Sequence, residues 1–123
     1  MSNRPLGSAF ADAGDGIVRA LREEPNFRIQ LVIALVALAG AAWLHFSVAQ
    51  WLVVVLIIGI VLAAELFNTC LEHVVDLIQP EDHPLARFAK HAGAGAVLVA
   101  SLSALVVGLL LYGPALAAWI HSR

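Results

Sequence analysis

The sequence predicts an all-α membrane protein in which an N-terminal amphipathic surface helix precedes three transmembrane helices. Two observations carry that prediction. Of 123 residues, 61% are hydrophobic and 13% charged, about half the charged share of an ordinary soluble domain. A soluble domain this small has a large surface for its volume, and so few charges cannot clothe it. The charges are also segregated: no Asp, Glu, Lys or Arg stands between Arg28 and Glu65, or between Lys90 and Arg123. The whole chain, residues 1–123, reads as a single membrane domain. A net charge of −2 without a basic block excludes nucleic-acid binding. The lone Cys70 leaves no internal disulfide.

Residues 1–28 are read as a cytoplasmic surface helix. Asp12, Asp15, Arg19, Arg22 and Glu23 rule out a signal-peptide core. At about 100° per residue, Phe10, Ala13, Gly14, Ile17, Ala20 and Leu21 share one face, and those charges share the other. Such a helix lies along a membrane surface. Glu24 breaks the pattern, because its phase places a carboxylate on the apolar face just before Pro25. Residues 29–47 form the first span, turning at His45-Phe46-Ser47. Residues 50–78 form the second span with a cytoplasmic extension, 79–91 a cytoplasmic loop, and 92–120 the third span.

Basic residues orient the chain. Arg4, Arg19, Arg22 and Arg28 precede the first span, and Arg87 and Lys90 lie between the second and third. Counting them places the N-terminus and the second loop in the cytoplasm and the C-terminus outside. Trp43, Trp51 and Trp119 then fall near the outer interface, where indole rings settle. In the third span Ala92, Ala96, Ala100, Ala104 and Gly108 recur every four residues, a ridge that lets helices approach closely. Gly93 and Gly95 are read with them as packing glycines, since no phosphate-loop lysine pattern accompanies them.

The second span holds the chemistry. With Glu65 as origin on the helical wheel, Asn68 lies at about −60°, Thr69 at about +40°, Glu72 at about −20° and Asp76 at about +20°. An acid at the centre of a span costs about 2.5–3.5 kcal/mol to insert. Glu65 lies within the hydrocarbon, Glu72 two turns nearer the cytoplasm, and Asp76 at the interface. Plainer readings stand beside this ladder. Asp76 suits an interfacial charge, Glu72 an acid paired with Lys90 or Arg87, and Asn68 an interhelical clamp. Glu65 has no such alternative and is the candidate general base. Glu24 and Glu72 lie where water, a divalent metal and phosphate reach. Mg²⁺ takes one or two carboxylates plus substrate phosphates. The division suits phosphoryl transfer from a soluble donor to a hydroxyl held in the membrane, with Lys90 as a point charge for phosphate. Two rival readings are an ion or proton relay and a structural subunit. A relay would stop at Glu65, since no charged residue continues into the outer half of any span.

Three stretches carry a resemblance: Glu24-Pro25-Asn26-Phe27-Arg28, then Glu65-Leu66-Phe67-Asn68-Thr69-Cys70-Leu71-Glu72 with Val75-Asp76, then His83-Pro84-Leu85-Ala86 with Ala89-Lys90. Together they resemble the small prokaryotic diacylglycerol kinases, a family that includes the undecaprenol kinases. The resemblance implies a homotrimer in the cell inner membrane, with active sites shared between subunits and Mg-ATP as donor. It implies Glu65 as proton acceptor, Asn68 in the catalytic cluster, and Glu24 and Glu72 as metal and nucleotide ligands. Glu81, Asp82, His83 and Lys90 would line the nucleotide site. His91 departs from the family pattern, standing where an aspartate follows the lysine; Gln30 stands where some members carry an acid. The expected activity is ATP-dependent phosphorylation of a lipid alcohol, undecaprenol ahead of diacylglycerol. The alternative is a divergent member whose activity His91 has altered or removed.

Overall fold

The computed structural model describes residues 4–123 as four helices: α1 (Leu6–Glu23), α2 (Pro25–Trp43), α3 (Val48–Ile78) and α4 (Pro84–His121). The part of the surface-helix expectation that falls on residues 1–3 lies outside them. Helices α2, α3 and α4 are each long and apolar enough to cross a membrane. Helix α3 packs most extensively on α4 and also on α2, while α1 lies against α2 and α3.

Helix α1 stops at Glu23 instead of continuing to residue 28. The cause is Pro25, which lacks an N–H and has a fixed φ suited to a first helical position. It opens α2 there, so the first spanning helix begins earlier than expected. Most of the apolar face of α1 stays uncovered by protein: Leu6, Phe10 and Ile17 are exposed, and Ala20 alone is buried. An uncovered apolar stripe of this kind is what a membrane surface receives.

The α2–α3 turn falls at residues 44–47. His45 adopts φ 54°, the left-handed conformation, directly after the cap residue Leu44. Its N–H bonds Ala42 O at 3.2 Å, and the Phe46 N–H reaches back to Ala41 O at 3.1 Å. This pair of bonds is a Schellman closure, and it brings its usual apolar contact. Ala41 and Phe46 are both buried with Val54 in the main apolar cluster. Ser47 then opens α3 with a capping box to Gln50. The Phe46 and Tyr112 rings lie 4.8 Å apart, tying α4 to the α2–α3 turn.

Helix α4 is longer than expected, because residues 84–91, read as loop, are helical. His83 caps it, its Nδ1 accepting from Leu85 N at 3.2 Å, and Pro84 takes the first helical position. At 1.5 Å per residue its 38 residues run about 57 Å, against about 30 Å of hydrocarbon. Helices α3 and α4 therefore run on together past the hydrocarbon.

Candidate active site

The corner between α1 and α2 positions the first acid. Glu24 is the single residue between the helices, in extended conformation at φ −106° and ψ 103°. Its N–H closes α1 on Ala20 O at 2.9 Å, and its carbonyl accepts from Arg28 N at 3.3 Å to begin α2. Arg28 folds back so that Nη1 donates to Leu21 O at 3.1 Å and Arg22 O at 2.9 Å. Those carbonyls have no partner within α1, and a cation suits the negative end of the helix. Burial of Phe27 and Ala20 locks the corner. Glu24 is left half-buried, with its carboxylate close enough to that of Glu65 to repel it.

Glu65 is only 4% exposed, the one charged residue buried among the described residues. Glu72 also lies within repulsion range of it. Like charges held together in a poorly solvated place are costly, so Glu65 set against Glu72 of its own helix and Glu24 of the α1–α2 corner marks a site prepared for positive charge. Asn68 belongs to the same group, its Nδ2 donating to Glu72 at 3.0 Å. The plainer alternative for Glu72, an acid paired with Lys90 or Arg87, does not hold in the fold. Lys90 bonds Asp76, and Arg87 bonds Asp82. The Asp76–Lys90 pair joins α3 to α4 through an exposed contact.

Asn68 Oδ1 is buried without a hydrogen-bond partner. It faces α4 at Gly93, where a Cβ would fall 2.5 Å from it and 2.8 Å from the Leu71 side chain. Gly93 is thus the residue that lets α4 close over the Asn68 amide. The packing expectation for this glycine agrees with that geometry, although its contact with Asn68 was not legible. Gly93→Ala gains about 1 kcal/mol of helix propensity and loses about 1–3 kcal/mol to overpacking. Stability should change little, because the Asn68 amide can swing away. Turnover should fall about tenfold or more as Glu72 loses its partner, a loss of about 1.4 kcal/mol in transition-state stabilisation. Thermal unfolding and lipid phosphorylation measured on one preparation check both halves.

The remaining expected residues lie apart from this cluster. Glu81, Asp82 and His83 occupy the short α3–α4 connection, all exposed, with His83 used as a helix cap and Asp82 as the partner of Arg87. His91 is exposed near the start of α4, next to Lys90. Among the described residues no group of three or more His, Cys, Asp or Glu side chains could hold a metal unaided. A feature the sequence reading missed is Ser101, which accepts from Gln30 Nε2 at 3.3 Å and joins α4 to α2. Its only signal was a hydroxyl in a largely apolar span, a signal that Ser103 gives equally.

The chain has known relatives. The family model described as prokaryotic diacylglycerol kinase matches residues 11–112. The undecaprenol kinase of Bacillus subtilis is 40% identical over 108 residues, covering 88% of both chains. A diacylglycerol kinase of Synechocystis is 38% identical over 109 residues, 88% of this chain and 62% of the relative. The diacylglycerol kinase of Escherichia coli is 32% identical over 96 residues, 78% of this chain and 79% of the relative. The match spans α2, α3 and most of α4, and it displaces the relay and structural-subunit readings. This four-helix membrane protein belongs to the prokaryotic diacylglycerol kinase family and is a lipid kinase, a phosphotransferase.

Proposed function

We propose that the chain transfers the γ-phosphate of Mg-ATP to the hydroxyl of a membrane lipid alcohol, undecaprenol ahead of diacylglycerol. The observation that carries this reading is the convergence of Glu24 and Glu72 on the buried Glu65. Glu65 accepts the proton of the acceptor hydroxyl, because it is the acid set inside the apolar region where a lipid hydroxyl arrives. Asn68 orients Glu72 through its 3.0 Å bond. Two carboxylates fit Mg²⁺, which completes its shell with phosphate oxygens and water. Glu24 and Glu72 would hold the ion, which when bound neutralises phosphate charge. Phosphoryl transfer asks a protein mainly for such positioning and charge stabilisation.

Lys90 serves the donor phosphates. Its pairing with Asp76 is exposed on both sides, at 37% and 60%, and an exposed pair contributes only about 0–1 kcal/mol. A polyphosphate can therefore draw Lys90 away at little cost. Glu81, Asp82, His83 and His91 border the same cytoplasmic end and contact the nucleotide. A homotrimer with sites shared between neighbouring subunits closes the acidic stripe that three helices leave partly open. The N-terminus and the α3–α4 connection face the cytoplasm, where ATP is, and the C-terminus lies outside.

The test supplies labelled ATP and Mg²⁺ with undecaprenol or diacylglycerol in mixed micelles and measures labelled lipid phosphate. Transfer to undecaprenol at higher kcat/KM is expected. No transfer to either lipid from folded, assembled protein defeats the reading. His91→Asp should preserve or raise ATP-dependent turnover, because it restores the acid that the family pattern places beside Lys90. A clear loss in that variant would give His91 a role of its own.

A further inference from the structure

The acidic cluster leaves a long apolar hollow between the spanning helices unused. With α3 as its floor, an apolar cleft of about 720 Å³ runs between α2 and α4. Its inner end lies at Gln30, Val61 and Ser101, and its outer end at Trp43 and Leu116. Val61 is about one helical turn from Glu65, so the cleft begins where the proposed reaction takes place. Helix α2 rises about 21 Å from Gln30 to Leu44, and the turn to Glu65 adds about 5 Å. That path of about 26 Å exceeds the roughly 15 Å of a single hydrocarbon leaflet.

Two observations decide what fits there. Hydrogen bonds bridge α2 to α4 at two levels, Gln30 to Ser101 and the Tyr112 hydroxyl to Ala37 O. A helix of another subunit, about 10–12 Å across with its side chains, enters only by breaking both. A single hydrocarbon chain lies along the cleft without doing so. The Gln30–Ser101 bond also satisfies the two groups at the inner end against each other, so what the cleft presents is hydrocarbon. Farther out on the α4 wall is Gly108, where a Cβ would meet no atom within 4 Å. The glycine therefore faces open space. Gly40 across the cleft differs, since a Cβ there would lie 3.1 Å from the Tyr112 ring.

We propose that this cleft holds the hydrocarbon tail of the acceptor alcohol as one extended chain. We also infer that Gly108 keeps its outer half open, so that the kinase selects acceptors by chain length. The proposal rests on the lipid-kinase reading of the Glu65 site. Acyl chains of a glycerolipid end near the bilayer midplane, whereas a long polyprenol continues past it, and only the latter uses the outer half.

The test uses the full chain in nanodiscs and a geranylgeraniol analogue carrying a diazirine at the end remote from its hydroxyl. Photolabelling should map to residues 37–44 and 104–116 and be competed by excess undecaprenol. Gly108→Leu should reduce that labelling and lower the undecaprenol-to-farnesol ratio of kcat/KM about tenfold, the scale on which a pocket discriminates small changes in apolar fill. Gly59→Leu is the control, since Gly59 is exposed on α3 outside the cleft and a Cβ there also meets nothing. Labels spread over all lipid-facing surfaces, labelling unchanged in Gly108→Leu, or equal losses on both acceptors would overturn the proposal. So would a changed oligomeric state in Gly108→Leu by light scattering, which would make the cleft a subunit interface. Confined labelling without phosphate transfer to any lipid alcohol would instead defeat the kinase reading and uphold the chain site.

Discussion

Glu65→Gln should lower kcat for lipid phosphorylation about 10³-fold, within the 10²–10⁴-fold range of a general base, or about 4 kcal/mol of barrier. Stability should move the other way. The substitution keeps the shape of the side chain and removes an acid that costs about 2.5–3.5 kcal/mol to hold in hydrocarbon. It also relieves the repulsion from Glu24 and Glu72. An inactive protein with an equal or higher unfolding temperature and an unchanged oligomeric state is therefore the expected result. The pair of readouts separates chemistry from folding: a misfolded variant would lose both, and a merely structural Glu65 would gain stability without losing turnover. Undiminished transfer would remove the general-base assignment.

Glu72→Gln and Glu24→Gln should each lower kcat/KM for Mg-ATP by about 10–100-fold, the scale reached when even an outer partner of a metal ligand is lost. Each should also shift the Mg²⁺ dependence of activity to higher concentration, with partial recovery at saturating metal. Glu72→Gln is the cleaner variant. An amide carbonyl can still accept from Asn68 Nδ2, which now donates to Glu72 at 3.0 Å, so local packing is kept and only the charge is lost. A Mg²⁺ titration with an unmoved midpoint would take the metal role away from these two residues. The Glu65 variant should show no such midpoint shift, which separates the proton acceptor from the metal ligands.

Much of this site was legible because insertion into lipid is expensive. Glu65, Asn68 and Glu72 stood out as polar residues on one stripe of an apolar span, and Glu24 as a carboxylate out of phase on an amphipathic helix. The structure gathers those four. Helix boundaries at prolines were less legible. Pro25 and Pro84 read equally well as breakers and as first helical residues, and in the fold both open helices. Partner choice was not legible either. On the wheel Glu72 and Asp76 lie about 40° apart, and either is a reasonable mate for Lys90. The fold pairs Lys90 with Asp76 and leaves Glu72 to Asn68.

By itself the sequence determined the solvent, the three spanning helices and the acids that a membrane should least tolerate. Each of these follows from local quantities: the length of an apolar run, the 3.6-residue period, and the cost of burying a charge. Only the tertiary structure decided that Gly93 closes over Asn68, that Arg28 pins the corner holding Glu24, and that Gln30 meets Ser101 across a cleft ending one turn from Glu65. Those pairings depend on the relative rotation and depth of helices. Packing over whole helix surfaces sets both, and no short stretch of chain encodes them.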